Sequence, residues 1–283
     1  MLPYALLMLL VVGAGVAIGL RAAGDGIAYS LGGQVRRLVD ATSDRFTPFG
    51  AAVILGAACT SAASVLAYLL GLITRHTGAF DLAVFRWTSV RLEKAGQGQA
   101  AGSLYATWSR AAQLMTDPGN KHQIWVVTTI CAVALAIAYR RRFWVPVLVL
   151  FAAIVSQHYL QIWIADAVDR GHPPTTLGTY PSGGVARIIA IYGLVAFLAL
   201  IRFTPGRRLA VTAWTVVALL AAQESYSRWF LEKHWLTDIV GGVIFGLVLL
   251  AAYCIATLGL EARRGNAVRR DRNQATGAVV VRA

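Results

Sequence analysis

The sequence predicts an all-α fold, a polytopic membrane helix bundle of about seven transmembrane helices. Of its 283 residues, 57% are hydrophobic and only 14% are charged, where a soluble domain carries roughly a quarter charged residues. Mean hydropathy is +0.61. Seven stretches approach or exceed the ~20 apolar residues that a bilayer crossing requires: 3–20, 50–74, 122–139, 143–165, 184–202, 209–225 and 238–260. A soluble two-domain enzyme and a disordered chain are both excluded. So is a disulfide-stapled secreted protein, because Cys59, Cys131 and Cys254 all fall inside apolar runs and read as small hydrophobes.

The first stretch has no basic residue before Arg21, so it reads as a retained span rather than a cleaved signal peptide. The third, one of the shorter spans, ends at the Arg140-Arg141-Arg142 run. With seven spans the termini face opposite sides. Sixteen of the 26 basic residues then fall on one side, in 21–49, 140–142, 202–208 and the tail beyond Leu260. The positive-inside rule places that side, with the C-terminus, in the cytoplasm. Three connections consequently face outward: 75–121, 166–183 and 226–237. The net charge of +13 is thus a topology signal beside the spans and does not point to nucleic acid.

The long outer connection carries two amphipathic runs at helical spacing, Phe80, Val84, Trp87 and Arg91, then Leu104, Trp108 and Met115. They are expected to pack over the outer face of the bundle or to form a lid over a lipid entrance. The tail 261–283, rich in Arg and interrupted by Gly and Asn, is expected to be disordered.

Polar residues concentrate in the two short outer connections. His234 and Asp238 stand four apart and share one face of any helix they join. An imidazole oriented by a carboxylate suits a nucleophile or general base. Arg228 lies six residues earlier and offers a fork for phosphate. In the other connection, Pro181-Ser182-Gly183-Gly184 opens a span directly. Free N–H groups at a helix start, with a Ser cap and glycines, form an anion site.

These residues resemble the type 2 phosphatidic acid phosphatase superfamily of membrane lipid phosphatases. Its pattern is Lys-x6-Arg-Pro, then Pro-Ser-Gly-His, then Ser-Arg-x5-His-x3-Asp. Ser227, Arg228, His234 and Asp238 match the third motif in full, followed by Gly241-Gly242. The order of spans fits over 49–260, which the resemblance makes a six-helix phosphatase-like core. Residues 1–48 then add an N-terminal span with its cytoplasmic connection, and 261–283 form a basic cytoplasmic tail.

The departures are specific. Ala165 stands where the family's phosphate-binding Lys belongs, and His172 where its Arg belongs. Gly184 replaces the His that protonates the leaving oxygen in the family. The resemblance therefore implies His234 as nucleophile, Asp238 as its orienting acid, and Arg228, Ser182 and Gly183 around the phosphate. His172 is expected as a relocated acid. Arg170 and Arg187 are expected as substitute phosphate ligands, Arg187 because an arginine just inside a span is costly unless it faces a polar cavity. His76, His122 and His158 fit no motif.

The implied activity is a lipid phosphatase or phosphotransferase working through a phosphohistidine on a lipid-linked phosphate or diphosphate. It needs no metal and no cofactor, because fixed cations and N–H groups stabilise the charge. A degenerate member that binds a phospholipid headgroup without turnover is the alternative, favoured by Gly184. A metal site from Asp166, Asp169, His172 and His234 lacks any tight ligand spacing.

Overall fold

The computed structural model describes residues 27–96, 104–173 and 178–280, and the described residues are helical with no strand. Helix α1 spans Ile27–Arg45. Thr47 then caps α2 (Pro48–Thr74) by accepting the Gly50 N–H at 3.1 Å, with proline at the first helical position, where its missing N–H costs nothing. A tight turn leads into α3 (Gly78–Gly96). Helix α4 covers Leu104–Met115 and α5 Lys121–Tyr139, separated by a 3₁₀ turn at Asp117–Gly119. Helices α6 (Trp144–Val168), α7 (Gly183–Phe203), α8 (Arg207–Phe230) and α9 (Leu236–Val280) complete the chain. A π-helical turn at Ile188–Tyr192 lies within α7.

Six helices among the described residues are long and apolar enough to cross a membrane: α2 and α5 to α9. They coincide with the last six stretches read from the sequence. The first stretch, 3–20, lies outside the described residues.

Helices α7 and α9 form the centre of the bundle. Within their membrane windows 61% and 50% of residues are buried, against 17–33% for the other spans. Small residues make the close approach possible. A Cβ on Gly246 of α9 would lie 3.0 Å from the Ala186 backbone of α7, and one on Gly56 of α2 would lie 3.2 Å from Ala256 of α9. Around this seam Leu150, Ile154, Ile191, Leu194, Phe245 and Leu249 fill the core.

The structure departs from the sequence reading at the C-terminal end, where α9 continues to Val280 in place of the expected disordered tail. Ala, Arg and Glu are good helix formers, and the segment prolongs a helix already nucleated by the span before it. In the long connection, α3 and α4 occur where the amphipathic spacing put them. Helix α4 packs Ala112 against Tyr226 and Phe230 at the end of α8.

Candidate active site

The two short connections are locked together at one end of the bundle. Tyr180 is the main anchor. Its ring seats against the bare backbone of Gly71 on α2, where a Cβ would come within 2.8 Å, and of Gly241 on α9, where a Cβ would overlap it. Its hydroxyl donates to the Ala67 carbonyl at 3.0 Å. Two residues on, the Ser182 N–H donates to the Asp238 carbonyl at 2.9 Å. Gly178 lies so close to the Lys233 carbonyl that no side chain would fit between them. Arg75 closes the end of α6, donating through Nε to the Val168 carbonyl at 2.5 Å and through Nη2 to Ala167 at 3.2 Å.

This framework buries His234 in the turn just before α9, with its Nδ1 3.7 Å from Asp238 Oδ2. That separation is beyond hydrogen-bond reach. Asp238 is held instead by other donors. Its Oδ2 accepts the Trp235 N–H at 3.1 Å, and its Oδ1 accepts Arg170 Nη1 at 2.9 Å. The other arm of Arg170 donates to Asp81 on α3. Asp81 in turn accepts the Thr237 N–H at 3.2 Å and the Thr237 hydroxyl at 2.7 Å. Arg170, expected from the sequence as a phosphate ligand, is thus engaged by two buried carboxylates.

A second cluster lies beside the N-terminus of α7. Arg228 donates through Nε to Glu224 Oε1 at 2.6 Å and through Nη2 to Asn120 Oδ1 at 3.2 Å. Arg187 is 6% exposed, donating to the Gly119 carbonyl at 2.9 Å and to Gln161 Oε1 at 3.2 Å. It faces the polar cluster, as its place inside a span requires. Glu224 is buried and also accepts the Thr116 hydroxyl at 3.3 Å. Its carboxylate lies against Gly184, where a Cβ would overlap Glu224 and come within 2.5 Å of Arg228 Nη2.

Ser182 and Gly183 sit at the start of α7, both buried, with the Ser182 hydroxyl lacking a hydrogen-bond partner. The first N–H groups of a helix have no carbonyl partner within it, so the start of α7 offers backbone donors beside the Arg228–Glu224 pair. His172 stands apart from this arrangement. It is exposed, and its Nδ1 faces the Pro173 carbonyl at 2.8 Å.

Burial holds the His234 imidazole below its ordinary value, reinforced by Arg228 and Arg187 and opposed by Asp238. Burial likewise lowers Lys233, with Arg228 adding to the effect. Arg228 and Arg187 thus act on an imidazole that burial already disfavours in its charged form, an arrangement that suits an anionic ligand beside a nucleophile. Among the described residues no group of three His, Cys, Asp or Glu side chains is placed to hold a metal ion.

Sequence reasoning missed Asp81, Asn120, Gln161 and Glu224. Glu224 carried a signal: an acid inside an apolar span, one helical turn before Arg228. The other three sit in connections or on helix faces where nothing local distinguishes them.

Residues 163–259 match the model of the PAP2 superfamily. Among solved structures, the first transmembrane PAP2-type phosphatidylglycerolphosphate phosphatase from Bacillus subtilis is similar, with a TM-score of 0.55 and 17% identity. The similarity covers 67% of this chain and 92% of that one and concerns the fold. A comparison with curated proteins gives no match.

Proposed function

We propose, from the match of residues 163–259 to the PAP2 superfamily model and the geometry of the buried cluster, that the chain is a membrane lipid phosphatase or phosphotransferase. Its substrate is a lipid-linked phosphate or diphosphate at the outer leaflet. The observation that carries this reading is the convergence of buried His234, Arg228 and Arg187 on the N-terminus of α7.

In this mechanism neutral His234 attacks phosphorus through Nε2, and the phosphorylated imidazole gains positive charge that Asp238 offsets. Asp238 is fixed for that task by Arg170 and by the Trp235 N–H. Arg228, Arg187 and the N–H groups that open α7 hold the phosphoryl oxygens as charge develops on them. Water, or an alcohol in a transferase, then takes the phosphoryl group from His234. Arg170 acts here as a positioning residue, and Ser182 as part of the helix start that faces the phosphate.

One observation favours a second reading, a non-catalytic headgroup binder. His172, the acid expected from the sequence, is exposed, with its Nδ1 facing the Pro173 carbonyl. Phosphoenzyme trapping separates the two readings. Purified protein is incubated with labelled prenyl and glycerolipid phosphates, alongside a His234→Ala variant. The enzyme reading expects a labelled protein and released phosphate, both lost in the variant. Binding that depends on Arg228, with no label on any substrate, would leave the binder as the function.

A further inference from the structure

We propose that Glu224 is the proton donor to the leaving oxygen, reaching from α8 into the space that a side chain at position 184 would otherwise fill from α7. This rests on the reading of the chain as a phosphohistidine enzyme. An alkoxide is a poor leaving group near neutral pH, so breaking its bond to phosphorus requires an acid at the oxygen. The first histidine to consider, His172, is exposed and turned to its own neighbour's carbonyl.

Three observations converge on Glu224. First, the fold makes room for its carboxylate with two glycines: a Cβ on either Gly119 or Gly184 would overlap Glu224 Oε1. A glycine at 184 therefore admits a carboxyl group to the head of α7, beside the N–H groups expected to face phosphate. Second, Glu224 shares Arg228, so a phosphate on that guanidinium has the carboxyl group next to it. Third, the two oxygens of this buried side chain are treated unequally. Oε1 takes both Arg228 and Thr116, while Oε2 is buried without any hydrogen-bond partner. A bare carboxylate oxygen inside a span is costly, whereas a carboxylic acid there needs an acceptor that the leaving oxygen supplies.

The step balances. As the His234 Nε2–phosphorus bond forms, the phosphorus–oxygen bond to the lipid breaks and the lipid oxygen takes the Glu224 proton. The lipid alcohol departs, leaving phosphohistidine and a Glu224 carboxylate. That carboxylate then accepts a proton from the attacking water as the phosphorus–nitrogen bond breaks. Inorganic phosphate leaves, and the acid and the neutral imidazole are restored.

The test is leaving-group dependence of phosphoenzyme formation in the full-length protein. Glu224→Gln keeps the shape and the acceptor for Arg228 Nε but has no acidic proton. With a glycerolipid phosphate, labelling should slow about 10²-fold or more. With p-nitrophenyl phosphate, whose leaving group needs no proton, it should change little. Equal slowing with both substrates, or none with either, would overturn the proposal and leave Glu224 as a support for Arg228. Should Glu224→Gln not fold, Glu224→Asp carries the same criterion, because its shortened reach must penalise the lipid substrate selectively. Wild-type protein unlabelled by either substrate would remove the phosphohistidine reading itself, a result distinct from equal slowing in the variants.

Discussion

Arg170 Nη1 lies 2.9 Å from Asp238 Oδ1, while the other oxygen of the same carboxylate faces His234 Nδ1 at 3.7 Å. With Asp81 on its second arm, Arg170 links α3 to the start of α9 and fixes the carboxylate beside the imidazole. Arg170→Met would leave two buried carboxylates without their cation. Breaking a buried ion pair in this way costs about 3–5 kcal/mol. Unfolding in detergent should show that loss, with Asp81→Asn losing less because it removes a charge as well as a contact. An Arg170 variant of unchanged stability, with only a raised KM, would return Arg170 to the phosphate.

His234 sets the acid side of the pH profile. The reactive form is the neutral imidazole, and burial with Arg228 and Arg187 lowers the pH at which it protonates. The acidic limb of kcat/KM should therefore have its midpoint below ~6.5, the ordinary histidine value. A stopped-assay pH series measures it. A midpoint above that value would mean that Asp238 outweighs burial.

Restoring a histidine at position 184 should harm the protein. Glu224 and Arg228 occupy the volume its side chain would enter. Overpacking of this kind costs about 1–3 kcal/mol. Gly184→His should lower the unfolding midpoint and give no gain in turnover, whereas Gly184→Ala, with a smaller side chain in the same volume, should lower it less. A stable, more active single variant would show that the Glu224 side chain can vacate this space.

Orientation follows from the distribution of basic residues. A reporter fused after Leu260 should read as cytoplasmic in intact cells, and one inserted in 166–183 as external. The reverse pattern would move the site to the inner leaflet while leaving its geometry untouched.

Turnover should persist in chelator. The proposed mechanism stabilises charge with Arg228, Arg187 and helix N–H groups. Activity lost in chelator and restored by zinc or manganese would demand a ligand set beyond the described residues.

The spans were legible in the sequence because a bilayer crossing is written in one dimension. Some twenty apolar residues in a row satisfy it wherever the helix ends up, so α2 and α5 to α9 could be located within a few residues. His234 and Asp238 were legible as a pair four residues apart, although α9 begins at Leu236 and leaves His234 outside the helix, with its Nδ1 3.7 Å from the carboxylate. Position 184 was equally plain as a missing side chain.

What the sequence could not carry was the choice of partner. Arg170 and Arg187 are both basic residues at the edge of the membrane, and nothing local separates a phosphate ligand from the cation of a buried carboxylate pair. Asp81 engages Arg170 from 89 residues away, through contacts that exist only once α3 folds over the head of α9. Arg187 is held by Gly119 and Gln161, which reach it from the end of one connection and from α6. Glu224 illustrates the same limit. Its charge and its spacing from Arg228 stood in the sequence, but only tertiary packing laid its carboxylate between Gly119 and Gly184. Hydropathy and helical period act over neighbouring residues, whereas the pairing of buried charges is decided by which surfaces meet after the helices assemble.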